Sequence, residues 1–295
     1  MQTRTLLNLG LLGVIAILIA IVIYEPGKQA IPSKPKLTAI SKAQVTSLRI
    51  HRPDQPDIVL HRQGEHWLLE SPYGLPANKY RVQSLLQLVD EDSHSQLSMQ
   101  GYQAATFQLD KPEGELTIND SVKILFGGKA PLKNLRYVQV GETLHTIQDN
   151  YGFLLNGRAE LFIDYALLPA DSKITRLELP DFTLAKKDDH WQINPKPKQA
   201  YSADALPELV NFWQYAQSLE AKPHPEKSSG KKIRISIAEQ APLEFRYEQQ
   251  ADNYYFIRTD KKIRYEVSKD TAEQLLNLPK PIDPAQETDS APTRQ

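Results

Sequence analysis

Cysteine is absent from the 295 residues. That excludes disulfides, thiolate zinc sites, iron–sulfur clusters and cysteine nucleophiles. It also fits an oxidising compartment, where stray thiols are a liability. An excess of either charge is lacking as well, with 35 Lys and Arg against 36 Asp and Glu. A nucleic-acid partner would call for a basic excess or stripe, so none is expected. Long apolar runs are missing from the whole chain except at its amino-terminal end.

That one run, Leu6 to Tyr24, carries no charge, and Asn8 is its one strongly polar side chain. At helical rise, about 19 residues span roughly 29 Å, the thickness of a bilayer core. Tyr24 stands where an aromatic belt residue stands. A cleaved signal peptide would have a shorter apolar region and small residues at its cleavage site. Here the run ends Ile21-Val-Ile-Tyr-Glu-Pro26, with bulky residues instead. The expected arrangement is an uncleaved single-pass anchor, residues 1–24, in contact with the lipid bilayer through 6–24. Lys28, Lys34 and Lys36 against Arg4 would by charge count keep the following domain in the cytoplasm. Long domains translocate largely regardless of such counts, and the expected placement is a bacterial inner membrane with a periplasmic domain.

Residues 25–43 contain Pro26, Pro32 and Pro35 and read as an extended linker. Residues 280–295, with Pro281, Pro284 and Pro292, read as a disordered tail. Between them one pattern occurs twice, in units 44–170 and 171–279. The first opens with Val45–Ile50, Asp57–Arg62 and His66–Leu69; the second with Ile174–Leu179, Phe182–Lys186 and His190–Ile193. These short alternating segments separated by polar turns predict antiparallel strands with one wet face. Each third strand begins His-Trp, at His66 and His190. A helix follows in each unit. Val82, Leu85, Leu86 and Val89 form the first stripe, with Asn78 as cap; Leu206, Leu209, Val210 and Trp213 form the second, with Asp204 as cap. Strands are then expected at 115–118, 122–126, 136–140 and 143–147, and at 232–237, 243–247, 254–258 and 263–267. Short helical closures are expected at 149–155 and 269–278. The plan is α+β: two duplicated units of antiparallel strands with a covering helix.

These segments resemble the family called domain of unknown function 4340. The resemblance rests on the opening strand Val45–Ile50, Trp67-Leu-Leu69, Pro76-Ala-Asn78, Leu109-Asp-Lys-Pro112, Phe126-Gly-Gly-Lys-Ala-Pro-Leu132 and Arg136-Tyr-Val138, with Phe162–Leu168 as the connector between halves. It covers roughly residues 45–278. It implies a membrane helix ahead of the domain and kinship with auxiliary subunits of gliding-type transporters in bacterial envelopes. It assigns no activity and no catalytic residues.

The candidate sites are weak. His66 and His190 read as half-exposed strand residues beside core tryptophans, Trp67 and Trp191. His51 and His61 lie near His66 on a hairpin, but nothing in the sequence fixes a ligand geometry, so no metal is expected. Gly127-Gly128-Lys129 lacks the spacing of a phosphate loop and reads as a turn. Lys222–Lys232 reads as a solvated basic loop between helix and strand, with contact to anionic lipid or glycan as the alternative. Asp188-Asp189 and Asp90-Glu91-Asp92 read as surface carboxylates. Tyr247, Tyr254, Tyr255, Phe256 and Tyr265 crowd the last strands, and alternation sends Tyr254 and Phe256 to one face and Tyr255 to the other. One set belongs to the core and the other is a candidate binding stripe, so Tyr254, Tyr255 and Phe256 form the candidate interaction surface.

Together these features suggest a non-catalytic, membrane-tethered binding or scaffold module of the envelope, without cofactor, partnered by another envelope or transporter protein. A glycan or small-molecule sensor and an envelope-polymer hydrolase are the alternatives.

Overall fold

The protein is described by a computed structural model covering residues 2–24, 34–131, 134–198, 201–202, 204–225 and 228–279. The expected spacer residues 25–33 and the expected tail 280–295 lie outside the described residues. The chain divides into two compact units, Met1–Pro35 and Lys36–Gln295.

The first unit contains helix α1, Gln2–Tyr24. Its aliphatic side chains are exposed along the stretch with described side chains, from Leu7 at 75% to Ile23 at 76%. Among the described residues no helix is long and apolar enough to cross a membrane.

The second unit is α+β, built on two antiparallel sheets. Its first half runs β1 Ser47–Arg52, β2 Gln55–Gln63, β3 His66–Ser71, β4 Leu75–Pro76, α2 Lys79–Val89, β5 Ser95–Ser98, β6 Gly114–Ile118, β7 Val122–Lys129, β8 Leu135–Val140, β9 Thr143–Gln148 and α3 Gly152–Asn156. The second half runs β10 Ile174–Glu178, β11 Thr183–Lys187, β12 His190–Asn194, α4 Ala205–Tyr215, β13 Glu220–Pro223, β14 Lys231–Ile237, β15 Leu243–Gln250, β16 Asn253–Arg258, β17 Ile263–Val267 and α5 Lys269–Leu276. The first sheet has the order β4-β3-β2-β1-β6-β7-β8-β9-β5 and the second β12-β11-β10-β14-β15-β16-β17-β13. Apart from β4, the two orders correspond strand for strand. In both, the strand after the covering helix returns to pair with the last strand of its half.

Alternation sets which face is buried. In β1, Leu48 and Ile50 are buried while Arg49 and His51 face water; in β17, Ile263, Tyr265 and Val267 point inward. Asp188 and Asp189 both adopt positive φ, 48° and 63°, in the tight connection between β11 and β12. Asp tolerates that left-handed conformation, which suits a two-residue hairpin turn.

Helix α2 starts at Asn78, whose side chain accepts from the Tyr80 and Arg81 amides at 3.1 and 3.2 Å. It buries Val82, Leu85, Leu88 and Val89. Helix α4 buries Leu206, Leu209 and Trp213. The expected cap at Asp204 is not made: its backbone is already helical and its side chain accepts no capping bond. One apolar core runs continuously through both halves. The connector 159–168 joins them. The Asn78 amide donates to Phe162 and that of Asp164 to Pro76 on one side; on the other, Leu167 donates to Ala216 and Ser218 to Tyr165. Phe162 and Ile163 are fully buried.

Three expectations need correction. The stretch 36–43 is not a free spacer. Leu37 is buried and its amide donates to Glu91 at 2.8 Å, while Thr38 Oγ1 donates to Val89 at 2.8 Å. Gly127, Gly128 and Lys129 are not a turn but the end of β7, where the register with β8 shifts. A Cβ on Gly127 would stand 2.3 Å from the Phe107 carbonyl oxygen, so glycine there admits the crossing segment 104–109. Finally, strands β4, β5 and β13 were not expected. They are two to four residues long and lie at sheet edges, where the apolar alternation that marks a buried strand is weak.

Candidate functional site

The histidines singled out from sequence do not converge. His66 and His190 are exposed at the starts of β3 and β12, and His190 Nδ1 sits 2.8 Å from the Asp188 carbonyl. His51 Nδ1 lies 2.8 Å from Asp57 Oδ1, and His61 Nε2 lies 3.1 Å from Glu70. His51, His61 and His190 thus each have their own local partner. Trp67 and Trp191 are half-buried against the edge of the core, not at its centre. The central tryptophan is Trp213, fully buried, with its indole N–H donating to the Leu275 carbonyl at 2.8 Å.

The proposed aromatic stripe is interior. Tyr254, Tyr255 and Phe256 are 9%, 6% and 0% exposed, so none of them forms an interaction surface. Both faces of β16 are covered. On one, Phe256 meets Trp213 edge-on at 5.4 Å and lies beside Phe245 and Tyr247. On the other, the Arg264 guanidinium lies 4.6 Å from the centre of the Tyr255 ring. Tyr265 is buried too, which pushes its hydroxyl up to about 12.

The acidic run at the end of α2 is engaged by the chain that precedes β1. Lys36 Nζ contacts Asp92 at 2.9 Å and Asp90 at 3.5 Å, and Lys42 reaches Asp90 at 3.8 Å. Glu91 accepts from the Tyr151 hydroxyl at 2.5 Å. Burial, reinforced by Glu91, pushes the Tyr151 hydroxyl well above its ordinary range. Asp90 and Asp92 therefore dock the entering chain through their carboxylates, and Glu91 through its backbone carbonyl.

Two buried polar centres escaped the sequence reading. Arg136 is buried on β8 and donates to Asp149 and Glu113, each at 2.7 Å, and to the Gly127 carbonyl at 2.7 Å. Several family-like segments therefore meet at one place: Arg136 holds the carbonyl of Gly127, whose missing side chain admits Phe107 and Leu109. The parity of Arg136 with Val138 on β8 was the signal that could have placed it inward. His145 is also buried; its Nδ1 is 3.1 Å from Ser93 Oγ, and burial lowers its pKa.

A cleft of about 530 Å³ opens beside β10 and β14, bordered by Glu178, Asp181, Thr183, Lys231, Lys232 and Arg234. Lys231 and Lys232, at the end of the stretch expected as a basic loop, instead begin β14, as Lys222 and Pro223 belong to β13. Glu178 accepts from Arg176 at 2.8 Å, and Glu244 contacts Lys232 at 2.9 Å and Arg234 at 3.8 Å. Lys232 holds Glu244 below the usual carboxylate range. The cleft thus offers charges of both signs and a hydroxyl, suited to polar contacts with a ligand. Among the described residues that line the cleft there is no histidine.

Comparison with curated proteins and with solved structures gives no match. Comparison with family models does: one matches residues 67–229, from β3 through α2, β5 to β9, the connector, β10 to β12, α4 and β13 to the residues before β14. The chain belongs to the family described as Domain of unknown function (DUF4340).

Proposed function

We propose that this protein is a non-catalytic, membrane-tethered binding or scaffold module of a bacterial envelope, accessory to a transporter complex. The observation that carries this reading is α1. Its backbone rises about 34 Å over 23 residues, a length comparable with a bilayer core, although the stretch with described side chains is not by itself long and apolar enough to cross one. Its exposed side chains include Leu7, Leu11, Ile15, Leu18 and Val22, an apolar surface costly to leave in water. Arg4 is its one charged residue. The matching strand orders of the two halves support origin by duplication of one unit. A tether of this kind raises the effective concentration of the domain at a membrane partner.

The test is extraction and labelling. The full chain in bacterial membranes is expected to resist alkaline carbonate. A cysteine at Tyr215, which is 71% exposed, is expected to react with a membrane-impermeant maleimide in intact spheroplasts. Release by carbonate would overturn the anchor; labelling only after lysis would overturn the periplasmic placement. A second reading, a sensor for a glycan or small polar molecule, is favoured by the mixed-charge cleft at Lys231 and Arg234. Thermal stabilisation by members of an oligosaccharide panel, lost in Lys231→Ala, would support it.

A further inference from the structure

The outer edge of the first sheet is built differently from its counterpart in the second. Strand β13 carries Glu220, Lys222 and Pro223, and Lys222 bridges Glu220 at 2.8 Å and Glu266 at 3.3 Å. Charge and proline are the usual devices that keep an edge from pairing. Strand β5 has neither. Its sequence is Ser95-Gln-Leu-Ser98, all four residues are exposed, and no Asp, Glu, Lys or Arg lies between Asp92 and Asp110.

The register fixes which backbone groups are open. β5 pairs with β9 through Ser95–Thr146, Gln96–His145, Leu97–Leu144 and Ser98–Thr143, and the Met99 amide donates to Glu142 in the same register. Antiparallel strands alternate hydrogen-bonded and open positions. The odd residues 95, 97 and 99 therefore turn their N–H and C=O groups toward β9. Gln96 and Ser98 turn theirs outward, and among the described residues no backbone group meets them there.

We propose that this edge joins two copies of the chain, with β5 pairing antiparallel to β5 of a second copy about a twofold axis through Leu97. In that register Gln96 of each copy exchanges backbone hydrogen bonds with Ser98 of the other, using the outward groups of both. Leu97 falls opposite Leu97 at the open central pair, where side chains are closest. Leu97 is 43% exposed and shares its sheet face with buried Leu144, so pairing covers an apolar side chain. About such a twofold the strand meets its own sequence, so a strand carrying one sign of charge would repel itself; this one carries no charge. The occupant is thus a second copy, since the strand is self-complementary in backbone polarity, charge and the position of its leucine.

The lack of native cysteine makes the test clean. Leu97→Cys in the full chain, purified in mild detergent, is expected to form a covalent dimer on mild oxidation, because the central open pair brings the two Cα atoms within disulfide reach. Leu219→Cys, at the exposed leucine beside β13, is the control and is expected to cross-link about tenfold more slowly. Gln96→Pro removes an outward N–H without touching the ladder to β9, so in the Leu97→Cys background it should abolish cross-linking while leaving the melting temperature unchanged. Equal cross-linking of the Leu97 and Leu219 variants would overturn the proposal. So would a Leu97→Cys dimer that survives Gln96→Pro. A native full chain whose protein mass in detergent is that of one copy, with no Leu97→Cys dimer, would overturn it also and leave the edge to another protein.

Discussion

Trp213 anchors the second sheet through its indole hydrogen bond to Leu275 and its ring contacts with Phe245 and Phe256. Trp213→Ala is expected to destabilise the fold by about 3–5 kcal/mol, the cost of emptying a fully buried aromatic site. Trp67→Ala and Trp191→Ala remove half-buried rings and are expected to cost only about 1–2 kcal/mol each. Equilibrium denaturation of the three variants checks the order, and equal losses would contradict it. The sequence placed His-Trp at matching points of the two halves but could not rank the tryptophans, because depth of burial depends on neighbours from other segments. His145 is a second residue whose role came from depth. Burial lowers its pKa from 6.5, so the unfolded chain binds a proton that the folded chain resists. Stability from this residue is complete above the unfolded value and falls as pH drops below it toward the folded value. Denaturation midpoints measured between about pH 7.5 and about pH 5.5 should fall more steeply in the native protein than in His145→Asn.

At the scale of elements, the strands with strong alternation were legible and the edge strands were not. β17 was expected at 263–267 and is found there. β5 and β13 owe their existence to an existing edge, at β9 and β17, and have little apolar signal of their own. The glycines of β7 show the same limit. Val122–Phe126 announced a strand, and Gly127-Gly128 announced its end; the crossing segment made them part of it. Gly127→Ala would drive a methyl into the Phe107 carbonyl and the Leu109 side chain. A loss of about 1–3 kcal/mol is expected, within the range for overpacked sites. Thermal melting would show it, and an unchanged midpoint would mean that the 104–109 segment yields freely.

For the whole molecule, the division after Pro35 makes a direct prediction. A chain beginning at Lys36 is expected to fold cooperatively. A chain beginning at Ala43 should be less stable, because it loses Leu37 and the Lys36 and Thr38 contacts to the end of α2. Comparison of their unfolding midpoints decides this, and equal midpoints would return 36–42 to the role of a free linker. The two halves share a core and a connector bonded to both, so each half alone should be unstable.

The sequence by itself determined the α+β class, the amino-terminal helix, nearly every interior strand, both covering helices and the resemblance that the family match bore out. Those features are written in local periodicity, which survives without knowledge of neighbours. Only the tertiary structure decided that Tyr254, Tyr255 and Phe256 are interior, that Asp90 to Asp92 hold the entering chain, and that the glycines of β7 receive a crossing segment. It also decided which sheet edges are guarded by charge and which is open. Each of these depends on what lies opposite a residue across a long sequence separation, and alternation along a strand cannot reveal whether one face or both will be covered.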